Sequence, residues 1–240
     1  MSGHSKWSTI KRQKGAADVK RGAVFTKISN AITIAVKQGG GVSDPNQNPR
    51  LRLAVELART SNMPKDNIER AIQRAMQKGE GELQEVTYEG FAPGGVSVLV
   101  EAATDNTNRT TAEVKSLFNK AGASFAQPGA VSYQFKNVGE ISLNKNGKSI
   151  DDIFLIAAEA GADDIEDRGD EAFVYTSVQN LNSVKESLTS QGLEITSADL
   201  SRKPVTTVEV EDSVKEKIFD FLSNLETIDD VLKVYSNINI

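Results

Sequence analysis

The sequence contains no cysteine, one histidine and one tryptophan among its 240 residues. Without cysteine, disulfides, thiolate nucleophiles and cysteine-ligated metals are excluded, and a lone histidine cannot form a histidine-cluster metal site. The sequence has no apolar run of about 18 residues, the minimum for a membrane-spanning helix. Its N-terminus lacks an apolar stretch followed by a small-residue cleavage site, so no secretory signal peptide is expected. These absences are typical of a reducing cytoplasm, which is the expected location.

Catalytic signatures are also absent. His4 is the only imidazole that could act as a general base, and it lies in a Gly- and Ser-rich segment with no packing to position it. The tripeptide Gly-Lys-Ser at 147–149 resembles part of a phosphate-binding loop, but Ser142 stands where that motif requires glycine. The sequence therefore predicts no catalytic residue, no metal ligand and no cofactor, and a protein that is not an enzyme.

The net charge of −5 conceals a division between two parts of the chain. Residues 1–78 contain 15 Lys and Arg against 5 Asp and Glu, whereas residues 79–240 contain 13 against 28. A charge difference of this size indicates a region that binds a polyanion, attached to an acidic body. The alternative is that the excess of cations only solvates the outer faces of helices.

The basic charge is densest near the N-terminus, where Asp18 is the only acid close to the Lys and Arg side chains. Such cations neutralise phosphates and give salt-dependent affinity for nucleic acid. Trp7 among them can stack on a base or sugar, or alternatively pack on its own helical domain. The candidate nucleic-acid-binding residues are Lys6, Trp7, Lys11, Arg12, Lys14, Lys20, Arg21, Arg70 and Arg74.

Apolar residues recur at spacings of three and four through the first third of the chain, which predicts amphipathic helices. The glycines at 39–41 are expected to end the first helix, and Pro64 suits the start of the third. The first two helices are about ten residues apart, too far for a helix-turn-helix with a short turn. The predicted helices cover 18–38, 49–60 and 64–78.

Strand patterns alternate with helices in the rest of the chain. The segment 138–203 has the order β-α-β-β-α-β, which is the ferredoxin-like arrangement. The final β-α-β unit is too small to stand alone, so it is expected to complete the sheet begun near residue 80. The predicted strands are 86–91, 96–104, 131–135, 139–143, 165–167, 172–177, 194–200, 205–210 and 231–237, with helices at 110–122, 150–160, 180–191 and 212–226.

The expected fold class is therefore α+β, with an N-terminal three-helix domain followed by two α/β lobes. One lobe is ferredoxin-like and inserted into the other. The expected domains are a basic helical domain with a mobile N-terminal arm at 1–79, a discontinuous α/β domain at 80–137 and 204–240, and the inserted domain at 138–203.

The chain resembles the YebC family, and the resemblance is densest over residues 3–135. It is carried by GHSKWSTIKRQKGAADVKRG, FTKISNAITIAVKQGG, NPRLRLAVELARTSNMPKDNIERAI, YEGFAPGGVSVLVEAATDNTNRTTAEVKSLF and the stretch from Gly122 to Phe135. It implies a helical N-terminal domain and two α/β lobes, one of them discontinuous. The family's basic motif corresponds to Lys6, Trp7, Lys11, Arg12 and Lys14. Mitochondrial members carry a presequence before this motif, whereas this chain begins directly with MSGHSKW. A bacterial cytoplasmic protein is therefore expected.

The resemblance implies a DNA-binding transcriptional regulator, as family members are usually described. Other members are described as ribosome-associated factors that help translation through proline-rich stretches, so ribosomal RNA, tRNA and the ribosome are alternative partners. A basic arm suits irregular RNA at least as well as a regular duplex. The competing class is a protein-interaction module in which the acidic body binds a basic partner. No membrane partner is expected.

Overall fold

The computed structural model describes residues 21–76 and 82–239. Its helices are α1 (Arg21–Gln38), α2 (Pro49–Thr60), α3 (Lys65–Arg74), α4 (Thr107–Lys120), α5 (Ile150–Glu159), α6 (Leu181–Ser190) and α7 (Asp212–Glu226). Its strands are β1 (Gln84–Ala92), β2 (Val96–Thr104), β3 (Ser124–Ala126), β4 (Phe135–Asn144), β5 (Asp164–Arg168), β6 (Glu171–Thr176), β7 (Glu194–Pro204) and β8 (Val231–Ser236). Within these residues, no helix is both long and apolar enough to cross a membrane.

Helices α1 to α3 pack around a common apolar core. Ile28, Ile32 and Val36 of α1 are buried against α2 and α3, as their spacing of four predicts. Helix α1 ends at Gln38, directly before the glycines at 39–41 that were predicted to end it. Gly39 is required there because a Cβ would collide with the side-chain amide of Asn48, which donates to the carbonyl of Ala35 at 3.0 Å.

The first sheet has the antiparallel order β3-β1-β2-β8. A short 3-10 turn at Pro93–Gly95 joins β1 and β2 into the predicted hairpin. Helices α4 and α7 supply Phe118 and Phe221, whose rings meet edge to face at 4.9 Å over the buried side of the sheet. Strand β8 lies far along the chain from its partner β2, so this lobe is discontinuous.

The second sheet has the antiparallel order β5-β6-β4-β7. Helices α5 and α6 contribute Ile153 and Leu188 to its core. All four strands lie between β3 and β8 in the sequence, so this lobe is inserted into the first, and the element order is the ferredoxin-like one. The predicted α+β fold class is confirmed, whereas the domain limits given above stay a prediction.

The strand predicted at 131–135 is wrong. Residues Ser132–Gln134 form a 3-10 turn, and β4 begins at Phe135 and runs without a break through the segment predicted as a separate strand. The cause is the carboxylate of Glu89 on β1. It accepts hydrogen bonds from the backbone N–H groups of Val131 and Ser132 at 2.6 and 2.9 Å. These amides are therefore satisfied without pairing to a neighbouring strand.

The strand predicted at 205–210 is also wrong. Only Val208 forms a bridge, a parallel one with Ile238. The apolar side chains of Val208 and Val210 pack on the core of the first lobe, which accounts for the alternating pattern without a strand ladder. The third helix was predicted to reach residue 78, but α3 ends at Arg74 and a turn follows at Ala75 and Met76.

Candidate nucleic-acid interface

Most of the predicted site lies outside the described residues. This applies to His4 as well as to the candidate residues Lys6, Trp7, Lys11, Arg12, Lys14 and Lys20. Arg21 is the first residue of α1. The structure therefore places side chains for Arg70 and Arg74, both of them on α3.

Arg70 and Arg74 are exposed and one turn apart on α3, whose buried side is formed by Ile68 and Ala71. The Arg70 guanidinium donates to the carbonyl of Asp66 at 3.2 Å and to the side-chain oxygen of Asn67. Arg74 donates a single bond, at 3.4 Å, to the side-chain oxygen of Asn30 on α1. A guanidinium has five N–H donors, so both arginines retain donors that a phosphate could accept. Arg74 also lines a cavity that contains the side chains of Asp105, Glu113, Asp229 and Asp230, so Arg70 is the better placed of the two.

Other cations of the helical domain are engaged within the protein. Lys37 pairs with Glu82 at 2.7 Å, and Arg50 pairs with Glu85 at 3.0 Å. Arg52 donates to the backbone carbonyls of Pro45 and Asn46, which shapes the loop between α1 and α2. These side chains hold the domain together and fix it to the first sheet, and they contribute less to an outer binding surface than the sequence count suggests.

Lys27 fixes the helical domain to the discontinuous lobe. Its ammonium donates to the carbonyl oxygens of Glu226, Ile228 and Val231 at 2.7, 2.9 and 2.5 Å. The last carbonyls of a helix have no partner within the helix and carry partial negative charge. Lys27 satisfies such a group at the end of α7, so this cation belongs to the interface between the two domains.

The inserted lobe also contacts the N-terminal helical domain through an ion pair. Lys185 of α6 pairs with Glu56 of α2 at 2.6 Å. A cleft of about 430 Å³ lies between α1, α2 and both sheets. Its charges are largely paired within the protein, which leaves little free charge for an anionic ligand: Arg50 with Glu85, Arg202 with Glu101, and Lys233 with Asp199.

Two exposed cations were not among the nucleic-acid-binding residues predicted from the sequence. Arg59 lies in the last turn of α2 and Lys65 in the first turn of α3. Residues 61–64 connect these helices, and Asn62 adopts a positive φ of 57° that permits the tight turn. The sequence could have indicated their proximity, because Pro64 marks a helix start only four residues after Thr60 and therefore places Arg59 and Lys65 on either side of a short turn. We call the four exposed cations of these two helices, Arg59, Lys65, Arg70 and Arg74, the α2–α3 basic surface, within which Arg70 and Arg74 are the pair that lie side by side.

A second cluster of charged groups lies at the start of α4, beside α1 and α3. Arg109 donates to Asp230 at 2.7 Å and to Asp105 at 3.1 Å. Burial alone would raise the pKa of Asp230, but hydrogen bonds from Arg109, Thr110 and Thr104 hold it below the ordinary value. Because the protein's own carboxylates already neutralise Arg109, this helix start is poorly suited to a phosphate.

The helix start itself is built from capping residues. The side chain of Asn106 accepts the backbone N–H of Arg109 at 3.0 Å, and the hydroxyl of Thr104 accepts that of Asn106 at 2.9 Å. Asn146 and Gly147 form a turn in which both have positive φ, and Lys148 and Ser149 follow it, which is consistent with a turn and not a phosphate loop. Across residues 21–76 and 82–239, no group of three or more acidic or histidine side chains is placed to bind a metal.

Two family models match nearly the whole chain. The model described as the TACO1/YebC protein N-terminal domain matches residues 5–78. The model described as the TACO1/YebC second and third domain matches residues 83–238.

Similar proteins are known from several organisms. A relative from Roseiflexus castenholzii is 45% identical over 245 residues, covering 100% of this chain and 96% of its own length. One from Thermotoga maritima is 47% identical over 239 residues, covering 99% and 93%. Both are named "Probable transcriptional regulatory protein". The crystal structure of a conserved hypothetical protein from Aquifex aeolicus is similar, with a TM-score of 0.85, 40% identity and coverage of 93% and 92%.

Proposed function

Because the chain belongs to the TACO1/YebC family, we propose that it is a non-enzymatic regulator of gene expression that binds nucleic acid through its helical domain. The regulatory names of its relatives support the first part of this proposal. The observation that carries the second part is the α2–α3 basic surface. There Arg70 and Arg74 stand exposed with free donors, while Lys27, Lys37 and Arg50 are engaged internally.

Duplex DNA is the first candidate target, as for a cytoplasmic DNA-binding transcriptional regulator. The connection between α2 and α3 is four residues long, which is the length found in helix-turn-helix proteins, although each of these two helices packs mainly on α1. Helix α3 also exposes Gln73 between Arg70 and Arg74. Arginine and glutamine are the side chains that read guanine and adenine by paired hydrogen bonds in the major groove.

A ribosome-associated, RNA-binding role in translation is the second candidate. It is favoured by Tyr133, an aromatic side chain of the body that is 75% exposed. Bases of RNA loops and single strands are often recognised by stacking on such side chains, whereas paired bases of a DNA duplex are not accessible in this way.

Salt titration of binding tests the proposal. We expect log affinity to fall linearly with log salt, and the slope to become shallower when Lys11, Arg12 and Lys14 are replaced by alanine. Loss of three phosphate contacts reduces the slope by about 2.7 on duplex DNA or about 2.1 on a single strand. The control carries the same change of charge on the acidic body, at the exposed residues Lys120, Lys148 and Lys217. Equal effects of the two triple variants would refute a dedicated basic binding domain.

Cosedimentation with ribosomes separates the two targets. The protein is mixed with ribosomes and an excess of duplex DNA competitor, at a salt concentration where both bind. Retention on the ribosome under excess duplex supports the translational role, and transfer to the duplex supports the transcriptional one.

A further inference from the structure

Tyr133 occupies the loop where the chain passes from the first lobe to the second. It is the middle residue of the 3-10 turn Ser132–Gln134, directly before β4. Of the large apolar and aromatic side chains in the described part of the protein, it has the highest exposure, at 75%. A single exposed aromatic is common on protein surfaces. What distinguishes Tyr133 is how its backbone and its hydroxyl are held.

The backbone before Tyr133 is held by a buried carboxylate. Glu89, 4% exposed, accepts the N–H groups of Gly129, Val131 and Ser132 at 2.8, 2.6 and 2.9 Å. Burying a carboxylate is costly unless hydrogen bonds satisfy it. Three backbone donors from one short loop do so here, and in return they fix the path of the loop up to the residue before Tyr133.

The residue after Tyr133 is held by a second polar network. The side-chain oxygen of Gln134 accepts hydrogen bonds from the Ser97 hydroxyl at 3.0 Å and from the Asn237 amide at 3.2 Å. Asn237 in turn accepts the backbone N–H of Ser97 at 2.7 Å. The amide of Gln134 donates to the Tyr133 hydroxyl at 3.3 Å. The backbone held on both sides of Tyr133 fixes the position from which the ring projects before any partner arrives, which lowers the entropy cost of binding to it.

Two exposed side chains next to the Tyr133 turn are apolar or positively charged. Val205, on the return passage between the lobes, donates its N–H to the carbonyl of Gln134 at 2.8 Å and is 53% exposed. Lys136, three residues after Tyr133, is exposed. Residues 129–134 contain no Asp or Glu, and the carboxylate of Glu89 on β1, which contacts this loop, is buried and bonded to backbone amides. Exposed aromatic rings and cations in the same region of a surface are the combination that binds an unpaired base and the phosphates of its strand.

We propose that Tyr133 is a stacking platform for an unpaired base of the nucleic acid that the protein binds. This inference rests on the proposed function and narrows it: the target presents at least one unstacked base to the body of the protein, while the helical domain contacts the phosphate backbone. The bases of a regular duplex are stacked on one another and cannot stack on Tyr133, whereas an unpaired base of a single strand, a loop or a bulge can.

Three substitutions at this exposed position test the proposal without disturbing the core. Affinity for a fluorescent 12-nucleotide single-stranded RNA and for the matching RNA duplex is measured by anisotropy at one salt concentration. Tyr133→Phe retains the ring and should bind the single strand within twofold of the unmodified protein. Tyr133→Ala and Tyr133→Leu remove the aromatic face, and each should lose roughly 5- to 100-fold on the single strand, with little change on the duplex.

The control is Phe154→Ala, which removes another aromatic side chain of high exposure, 53%, from α5 on the inserted lobe. It should leave both affinities unchanged. A 2-aminopurine placed in the single strand should lose fluorescence on binding to the unmodified protein but not to Tyr133→Leu. Thermal unfolding of every variant should match that of the unmodified protein, since these side chains face solvent.

Each outcome has one meaning. If Tyr133→Leu binds the single strand as tightly as the unmodified protein, or if Tyr133→Ala weakens single strand and duplex equally, the stacking proposal is wrong. In both cases the salt-dependent binding through the helical domain still stands. If the unmodified protein binds neither RNA, nor the duplex DNA of the salt titration, even at low salt, the proposed function itself fails.

Discussion

The ammonium of Lys27, near the start of α1, lies 2.7 Å from the carbonyl oxygen of Glu226 at the end of α7, across 199 residues of sequence. Two further carbonyls, of Ile228 and Val231, accept from the same ammonium. A cation at a helix C-terminus is favourable because it satisfies partial negative charge there. One lysine thus joins the helical domain to the discontinuous lobe.

We expect Lys27→Met to weaken this junction. Methionine keeps much of the aliphatic length but leaves the carbonyls without their charged donor, at a cost of roughly 1.5–3 kcal/mol. Urea unfolding should show the loss, and hydrogen exchange should increase around residues 226–231 and in α1. Lys65→Met serves as the control, because the Lys65 side chain is 86% exposed and makes only a 3.4 Å pair with Glu69. Equal stability of the two variants would contradict the role of Lys27.

The contribution of Glu89 to stability is expected to depend on pH. Burial by itself would raise the pKa of Glu89, but the backbone hydrogen bonds from Gly129, Val131 and Ser132 lower it below the ordinary value of 4.5. A lowered pKa in the folded state means that the charged carboxylate stabilises the fold above pH 4.5 and that this stabilisation is lost as the pH falls through the folded-state pKa.

Glu89→Gln tests this dependence. The variant should be less stable than the unmodified protein by roughly 2 kcal/mol near pH 7, because an amide accepts these three bonds poorly. The difference between the two proteins should shrink as the pH is lowered below 4.5. Chemical unfolding across this range measures it, with the exposed Glu216→Gln as control. A difference that stays constant with pH would mean that charge is not what holds the loop.

Asp230 is expected to be more important to stability than its neighbour Asp229. Its carboxylate accepts from Thr110 at 2.6 Å, from Arg109 at 2.7 Å and from Thr104 at 3.1 Å. Asp230→Ala leaves two threonine hydroxyls and the guanidinium without this acceptor, and should cost roughly 1–3 kcal/mol in thermal or urea unfolding. Asp229 is exposed, so Asp229→Ala, with the same change of charge, should be nearly neutral. The opposite order of the two effects would refute this account.

The α+β architecture could be predicted from the sequence because its signals are local. The spacing of Ile28, Ile32 and Val36 identifies α1, and the run 96–104 identifies β2. The failures have non-local causes. The amides of Val131 and Ser132 are satisfied by Glu89, 42 and 43 residues away, and Val208 packs on the core without joining a ladder. No pattern within a short window carries that information.

Of the candidate site, the sequence could predict the excess of positive charge but not which side chains are available to a ligand. The sequence shows how many cations the first third contains but not which of them are already bonded. Lys27 and Arg50 were indistinguishable in sequence from Arg70 and Arg74, because their partners lie in distant parts of the chain. The held position of Tyr133 was likewise hidden, since it depends on bonds that join four separate segments through Glu89, Ser97, Gln134 and Asn237.

The α2–α3 basic surface should contribute to nucleic-acid affinity in proportion to its free donors. We expect the double variant Arg70→Ala/Arg74→Ala to lose two phosphate contacts, which makes the salt slope on duplex DNA shallower by about 1.8. Arg50→Ala/Arg52→Ala carries the same change of charge within the same domain, but these side chains already bond to Glu85 and to backbone carbonyls. Its slope should stay close to that of the unmodified protein. Titrations at four or more salt concentrations compare the three proteins, and a similar change of slope in both variants would show that affinity follows net charge and not this surface.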